Sequence, residues 1–437
     1  MSHSHTQNTD QNHIYHLTEH EFNRQKNTIS LIASENVPSP KVIDLLGGMN
    51  PNGYRSLWSN KYGEGYPGKR YYAGNEYTDE LESFVQQKAL EVYGPVAVEE
   101  YAVNLQMNAG SMANQMVYLS MLEYGDSVVS LNVANGGHIS HMHSTSAWTK
   151  FFKYENYDLK EVAPNTFEID FEDYCAKIVK NKPKLVIIGC SSYPREIRNY
   201  KEMIEFAHDN GAMVLCDIAH INGLVAAGVH ATPFLSGHSG ADFVSMTTHK
   251  TFRGPRAAML YFKKEYADKV NKTVFPGTSG GPHFNKIAAI GQACLEILGE
   301  DTYPDGVSFK DYSINLLRQT KLLENTLVEN GIGIISPTET HLMLAVLPAE
   351  SDSLKVQKAL DSIGIVCNRN GIPFETKSMW KPSGLRLGMA PATSRGITDE
   401  QTVEMGKIIA DLVLERDTVE NLKAKVDTII ATLNWWY

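Results

Sequence analysis

The chain has 437 residues, 42% hydrophobic and 21% charged, with a formal net charge of −10. That length exceeds one simple core and predicts a large domain with a smaller companion. The acidic balance excludes a general binder of nucleic acid or anionic membrane, which needs clustered cations.

No apolar run approaches the roughly 18 residues of a membrane span. Five cysteines, none in a CxxC pair, predict reduced thiols in a cytoplasmic setting. Residues 1–16 are polar and carry His3, His5, His13 and His16. They lack the apolar core of a secretory signal and the arginines of a transit peptide, so a flexible tail is expected there. Thr78 to Tyr93 sets Leu81, Phe84, Val85, Ala89 and Val92 at helical spacing before Gly94. Ser111 opens a second helix that closes at Gly125. Ser127 to Leu131 and Leu185 to Ile188 read as buried strands. Tyr200 to Asn210 reads as a short amphipathic helix, and Ala212 to Cys216 and Phe243 to Met246 as further strands. This alternation predicts an α/β fold with a mainly parallel sheet flanked by helices. From about residue 310 come a long helix, paired strands around Ile332 to Leu347, and helices at Leu354 to Ser362 and Glu400 to Leu414. The expected division is an N-terminal arm and large domain over 17–300 and a small α+β domain over 301–437, and a domain junction favours a small-molecule site.

The chemistry concentrates where strands end. Asp217 closes one apolar strand and Lys250 follows another, at the usual ligand edge of a parallel sheet. A lysine there can tether an aldehyde, and an aspartate can keep a pyridinium protonated: these are the two protein groups pyridoxal phosphate needs. Gly110 and Ser111 start a helix whose free N–H groups and dipole suit an anion, although Gly-Ser before a helix is often only a cap. Gly63 to Lys69 matches the spacing of a P-loop, but Arg70 stands where a magnesium-binding hydroxyl belongs, and Glu64, Tyr66 and Pro67 crowd the loop. His138, His141 and His143 are dense enough for a metal, yet no glutamate or cysteine completes a ligand set. An imidazole stacked on a flat cofactor suits His138 after Gly136 and Gly137 better, and no metal is expected.

These pieces add up to a resemblance. Leu-Ile-Ala-Ser-Glu-Asn (31–36), Asn-Lys-Tyr-Gly-Glu-Gly-Tyr-Pro-Gly-Lys-Arg-Tyr-Tyr (60–72), Gly-Gly-His (136–138) and Asp-Ile-Ala-His (217–220) occur in order. Thr-His-Lys-Thr-Phe-Arg-Gly-Pro-Arg (248–256), Val-Phe-Pro-Gly (274–277) and Ser-Gly-Leu-Arg-Leu-Gly (383–388) follow. From about residue 17 onward the chain resembles serine hydroxymethyltransferase. The resemblance implies a fold-type-I pyridoxal-phosphate enzyme, a homodimer or dimer of dimers with shared active sites. It also implies interconversion of L-serine plus tetrahydrofolate (or a modified pterin) with glycine plus 5,10-methylenetetrahydrofolate.

By the same resemblance Lys250 is the cofactor-tethering lysine, Asp217 the pyridinium partner and His138 the stacked imidazole. Ser191 and His220 match groups that bond the cofactor's phenolic oxygen or the substrate hydroxyl. Gly110 and Ser111 match the phosphate cup, completed by Tyr62, Gly280 and Gly281 of a neighbouring subunit. Arg386 matches the substrate-carboxylate arginine, with Ser34 beside it, and a bidentate guanidinium suits that task. Glu64 matches the carboxylate near the reacting hydroxymethyl group and Tyr72 a tyrosine close to Lys250. Asn370 matches a pterin contact, and the backbone from Val133 through Gly137 to Ile139 a folate-facing loop.

Two departures stand out. Met107-Asn108-Ala109 replaces the family's Pro-His-Ser before Gly110, and loss of that hydroxyl would weaken cofactor binding by ~1 kcal/mol. The stretch from Leu46 to Trp58 runs roughly eight residues longer than the resemblance implies, and long loops often carry function. A folate-independent, threonine-type β-hydroxy-amino-acid aldolase or transaldolase on the same scaffold is the alternative. It would keep Lys250, Asp217 and Arg386 and lose the pterin pocket. A non-catalytic descendant would have lost Lys250 or Arg386, and both are present.

Overall fold

The computed structural model describes residues 9–335, 337–378 and 380–437. Its centre is a seven-stranded sheet: β1 (Tyr101–Met107), β2 (Ser127–Leu131), β3 (Lys153–Tyr157), β4 (Leu185–Gly189), β5 (Met213–Asp217), β6 (Phe243–Thr247) and β7 (Ala258–Lys263). The strand order is β1-β7-β6-β5-β4-β2-β3, and β7 alone runs antiparallel to its neighbours. Both faces are buried. Val128, Leu185, Leu215 and Phe243 enter one hydrophobic core, while Val129, Val186, Val214 and Val244 enter the other. That two-sided burial explains why these strands read as continuous apolar runs instead of alternating ones.

A second sheet carries β8 (Gly333–Ile335), β9 (Leu342–Val346), β10 (Asn368–Asn370) and β11 (Gly384–Gly388) in the antiparallel order β8-β9-β11-β10. Met343, Ala345, Leu385 and Leu387 pack from it into a separate core with Leu316, Leu323, Met405 and Ile408. The N-terminal arm is shared between the two cores: Ile29 and Leu31 enter this second one, while Val42 packs in the core of the large domain. Ile29 and Ser30 pair in parallel with Ile365 and Val366, and Leu31 is fully buried there. The apolar Ile29 and Leu31 find their cover from the C-terminal part of the chain, a contact no local pattern reveals.

The expected helices from Thr78 and Ser111 are α2 (Glu76–Glu91) and α3 (Gly110–Met121), each displaced by a turn or less. Gly94, with φ of 85°, turns the chain after α2 and Pro95 opens the next short helix. The tail expected through residue 16 differs from what is seen: residues 1–8 lie outside the described residues, and α1 is helical over Thr9–Lys26. Arg395 holds its C-terminal end, donating to the carbonyls of Thr28 at 2.6 Å and Lys26 at 2.8 Å while its guanidinium lies over Trp435. The long helix expected after residue 310 is α4 (Phe309–Glu329), capped by Ser308. Among the described residues no helix is long and apolar enough to cross a membrane.

Candidate active site

Adjacent strands of the large sheet deliver the predicted residues from their carboxyl ends. β2 leads into Gly136, Gly137 and His138; β4 into Cys190 and Ser191; β5 ends on Asp217; β6 is followed by Lys250. β1 leads into α3, whose first residues are Gly110 and Ser111. This is the crevice that open parallel sheets offer to ligands. Two adjoining cavities of about 220 and 300 Å³ lie there, and Ser34, His138, His220 and Lys250 line both. Gly110, Ser111 and Asp217 complete the first; Val133, Gly137, Ile139, Ser191, Asn370 and Arg386 complete the second.

One hydrogen-bond network sets both Asp217 and His138. Asn114, one turn into α3, donates to Asp217 at 2.8 Å and to Ser140 Oγ at 2.9 Å, and its own oxygen accepts from Ser245 at 2.6 Å. His141 Nε2 meets Asp217 Oδ2 at 2.8 Å. Burial alone would raise the Asp217 carboxyl, but the bonds from His141 and Asn114 outweigh it and hold the group far below the usual range. It is therefore an anion at the floor of the first cavity. Ser140 stands 2.7 Å from His138 Nδ1, and its backbone N–H donates to the same nitrogen. Burial, then the neighbouring His141, pulls His138 down to about 4, so the ring is neutral at pH 7. His138 and His141 are thus engaged with Ser140 and Asp217, and His143 with Thr145.

Lys250 is 7% exposed, and burial pulls its amine down to about 8, against the pull of Asp217. Its carbonyl accepts from Asn36 Nδ2 at 2.8 Å and from the Arg253 N–H at 3.1 Å. His220 is buried and stacks on His341, ring centroids 5.6 Å apart. Arg386, on β11, donates to the Ser191 carbonyl at 2.8 Å and to Asn368 at 3.1 Å, which aims the guanidinium at the second cavity. Burial lowers it only to about 10, so it stays charged. Gly110 packs so closely on Thr247 that a Cβ would meet Cγ2 at 2.8 Å. Ala109 at the cap position makes no side-chain bond to the first turn of α3, so that end faces the cavity open to an anion.

These features fit a phosphorylated pyridine aldehyde: an amine near neutrality, an ionised carboxylate, a neutral planar imidazole, and a helix start for the phosphate.

Five predicted residues are not brought to Lys250 within one chain. Tyr62, Glu64 and Tyr72 flank the hairpin Gly65–Tyr66/Lys69–Arg70, and Gly280 and Gly281 lie next to it; none lines either cavity. They group with one another instead. A Cβ on Gly281 would touch the Glu64 carboxylate at 3.4 Å, and the Tyr62 and Tyr72 rings sit 5.6 Å apart. Arg70 ties the hairpin to α2 through Glu82 at 2.5 Å and Asp79 at 2.6 Å. Glu64 Oε2 is buried without a hydrogen-bond partner among the described residues, while Tyr62 and Tyr72 are exposed.

Sequence reasoning missed Asn114, Asn36 and His341, and read His141 only as a poor metal ligand. Asn114 follows Gly110 by one helical turn, and Asn36 closes the 31–36 string, so both carried a positional signal. His341 had none, since only the packing of the second sheet brings it to His220.

A family model described as serine hydroxymethyltransferase matches residues 7–409 of this chain.

Proposed function

The chain belongs to the serine hydroxymethyltransferase family, and on that premise we propose that it transfers the hydroxymethyl group of L-serine to tetrahydrofolate or a modified pterin. The family is one of pyridoxal-phosphate enzymes, with a fold of type I. The observation that supports the reading best is the pair of joined cavities, one suited to the cofactor and one lined by Arg386 and Asn370.

When bound, pyridoxal phosphate supplies an electron sink for the pair left on Cα as the Cα–Cβ bond breaks. The chain's own groups do the rest. Lys250 would provide the tethering amine, Asp217 an anion for the ring nitrogen, and His138 a flat face for the ring. Ser191 and His220 would bond hydroxyl groups of cofactor and substrate, and Gly110 and Ser111 would seat the phosphate. Arg386, steered by Ser191 and Asn368, clamps the substrate carboxylate with Ser34 beside it, and so orients the bond that must break. Val133, Gly137, Ile139 and Asn370 wall the side from which a pterin would enter. The carbon leaves at the formaldehyde level and joins two pterin nitrogens, and the serine oxygen departs as water.

Glu64 and Tyr72 act from a second copy, together with Tyr62, Gly280 and Gly281. Their separation from Lys250 within one chain and the buried, unpartnered Glu64 oxygen support that arrangement. Glu64 would then handle the hydroxyl proton.

The test is a visible spectrum of the protein loaded with pyridoxal phosphate. A long-wavelength band that develops with glycine only after tetrahydrofolate is added is the expected result. A cofactor band indifferent to folate but responsive to threonine would replace this reading with the aldolase. Absence of any cofactor band would end both.

A further inference from the structure

Three residues after Lys250 the chain turns through Arg253, a non-glycine residue with φ of 57°. The residue is 2% exposed, and among the described residues no carboxylate pairs with it. Nε and Nη1 are buried without hydrogen-bond partners among the described residues. Glu296 feels its charge but bonds Ser39 and Gln292 instead. The guanidinium is held by rings. Its carbon lies 3.9 Å from the centroid of Tyr303, 4.1 Å from that of Tyr312 and 5.4 Å from that of Phe309. A buried cation with no anion is costly, and a left-handed arginine adds backbone strain. Two aromatic faces at stacking distance are the compensation on offer, and a planar guanidinium can lie flat against both where a compact ammonium cannot.

The clamp connects to the lysine by two short routes. The Arg253 N–H donates to the Lys250 carbonyl. The Tyr312 hydroxyl accepts from Asn36 Nδ2, which also donates to the Lys250 carbonyl, both at 2.8 Å. Ser394 Oγ donates to Asn36 Oδ1 at 2.7 Å and sets the amide's orientation. Tyr312 lies on α4 and packs in the second core. The backbone that aims Lys250 is therefore fixed from the C-terminal part of the chain.

We propose that Arg253 is a positioning residue for Lys250, its guanidinium clamped between Tyr303 and Tyr312 so that the turn after the lysine keeps one conformation. This rests on the reading of Lys250 as the cofactor lysine. The clamp does not touch the reacting atoms; it acts through the Lys250 backbone.

The experiment follows covalent capture of pyridoxal phosphate by the full-length apo protein, as visible absorbance against pH, with melting temperature measured alongside. Arg253→Lys keeps the charge but loses the flat stack, and Tyr303→Leu removes one ring. Tyr303→Phe keeps the ring and loses only the hydroxyl bond to Val37. Capture should slow on the order of tenfold in Arg253→Lys and Tyr303→Leu and proceed at the wild-type rate in Tyr303→Phe. Lower melting temperatures with wild-type capture rate and pH midpoint would reduce the clamp to packing and overturn the proposal. If Arg253→Lys does not fold, the contrast between Tyr303→Leu and Tyr303→Phe decides. A wild-type protein that captures no cofactor would sink the reading of Lys250 itself, a result distinct from failure of the clamp.

Discussion

At the scale of single residues, the site works by unequal desolvation. Asp217 and Lys250 are both buried, yet one is driven further into its charged form and the other toward neutrality. The difference lies in partners: Asp217 receives His141 and Asn114, whereas burial outweighs the pull of Asp217 on Lys250. With a value of about 8, about a tenth of the Lys250 amine is neutral at pH 7, against well under a thousandth for an ordinary lysine near 10.4. Because only the neutral amine attacks an aldehyde, capture of pyridoxal phosphate by the apo protein should rise with pH and level off above about 8. Stopped-flow absorbance across pH 6 to 10 checks this, and a midpoint near 10 would show that burial does not tune the amine. Asp217 and Lys250 were legible in the sequence because each stands at the end of an apolar strand. Asn114 and His141, which tune Asp217, were not assigned that task, because it depends on which helix face meets which strand.

At the scale of elements, the hairpin after Gly63 shows how a short piece is made rigid. Two strands of two residues cannot hold themselves. Arg70, with its side chain 3% exposed, does so by reaching Glu82, Asp79 and the carbonyls of Gly63 and Gly65. Glu82 is 1% exposed, and burial pushes its carboxyl up despite Arg70. Arg70→Leu would leave that carboxylate buried and unpaired, a loss of ~3–5 kcal/mol. The urea midpoint of unfolding measures it; a shift worth less than ~1 kcal/mol would mean that the hairpin is held by other contacts. The sequence pattern marked 63–69 as a rejected P-loop, and the structure places a tight turn there, with Gly65 at φ of 110° and Gly68 at 76°. Strands β1, β3 and β7 escaped the sequence reading. In β1, Asn104 and Gln106 interrupt the apolar run, and in β3 the sequence KYENY is polar because the strand lies at a sheet edge.

At the scale of the whole molecule, the proposed chemistry needs residues that one chain keeps apart. If a second copy supplies Glu64, two defective chains should repair each other. Mixed dimers of Lys250→Ala with Glu64→Gln would contain one site with both wild-type groups. Co-expression should then restore about a quarter of the wild-type activity per site, since half the dimers are mixed and each has one intact site. Activity no higher than the sum of the two inactive homodimers would place Glu64 and Lys250 in the same chain.

The sequence by itself determined the sheet's central strands, the strand ends that carry Lys250 and Asp217, the helix start at Gly110 and the family to which the chain belongs. These are local facts: an apolar run, a residue at its end, a glycine before a helix. Tertiary structure alone decided that Ile29 and Leu31 pack with the C-terminal core, that His341 lies against His220, and that Arg253 sits between Tyr303 and Tyr312. Within one chain, Glu64 and Tyr72 also line neither of the two cavities. Each of these depends on contacts between segments far apart in the chain, and side-chain spacing along the chain carries no information about which distant surface will cover it.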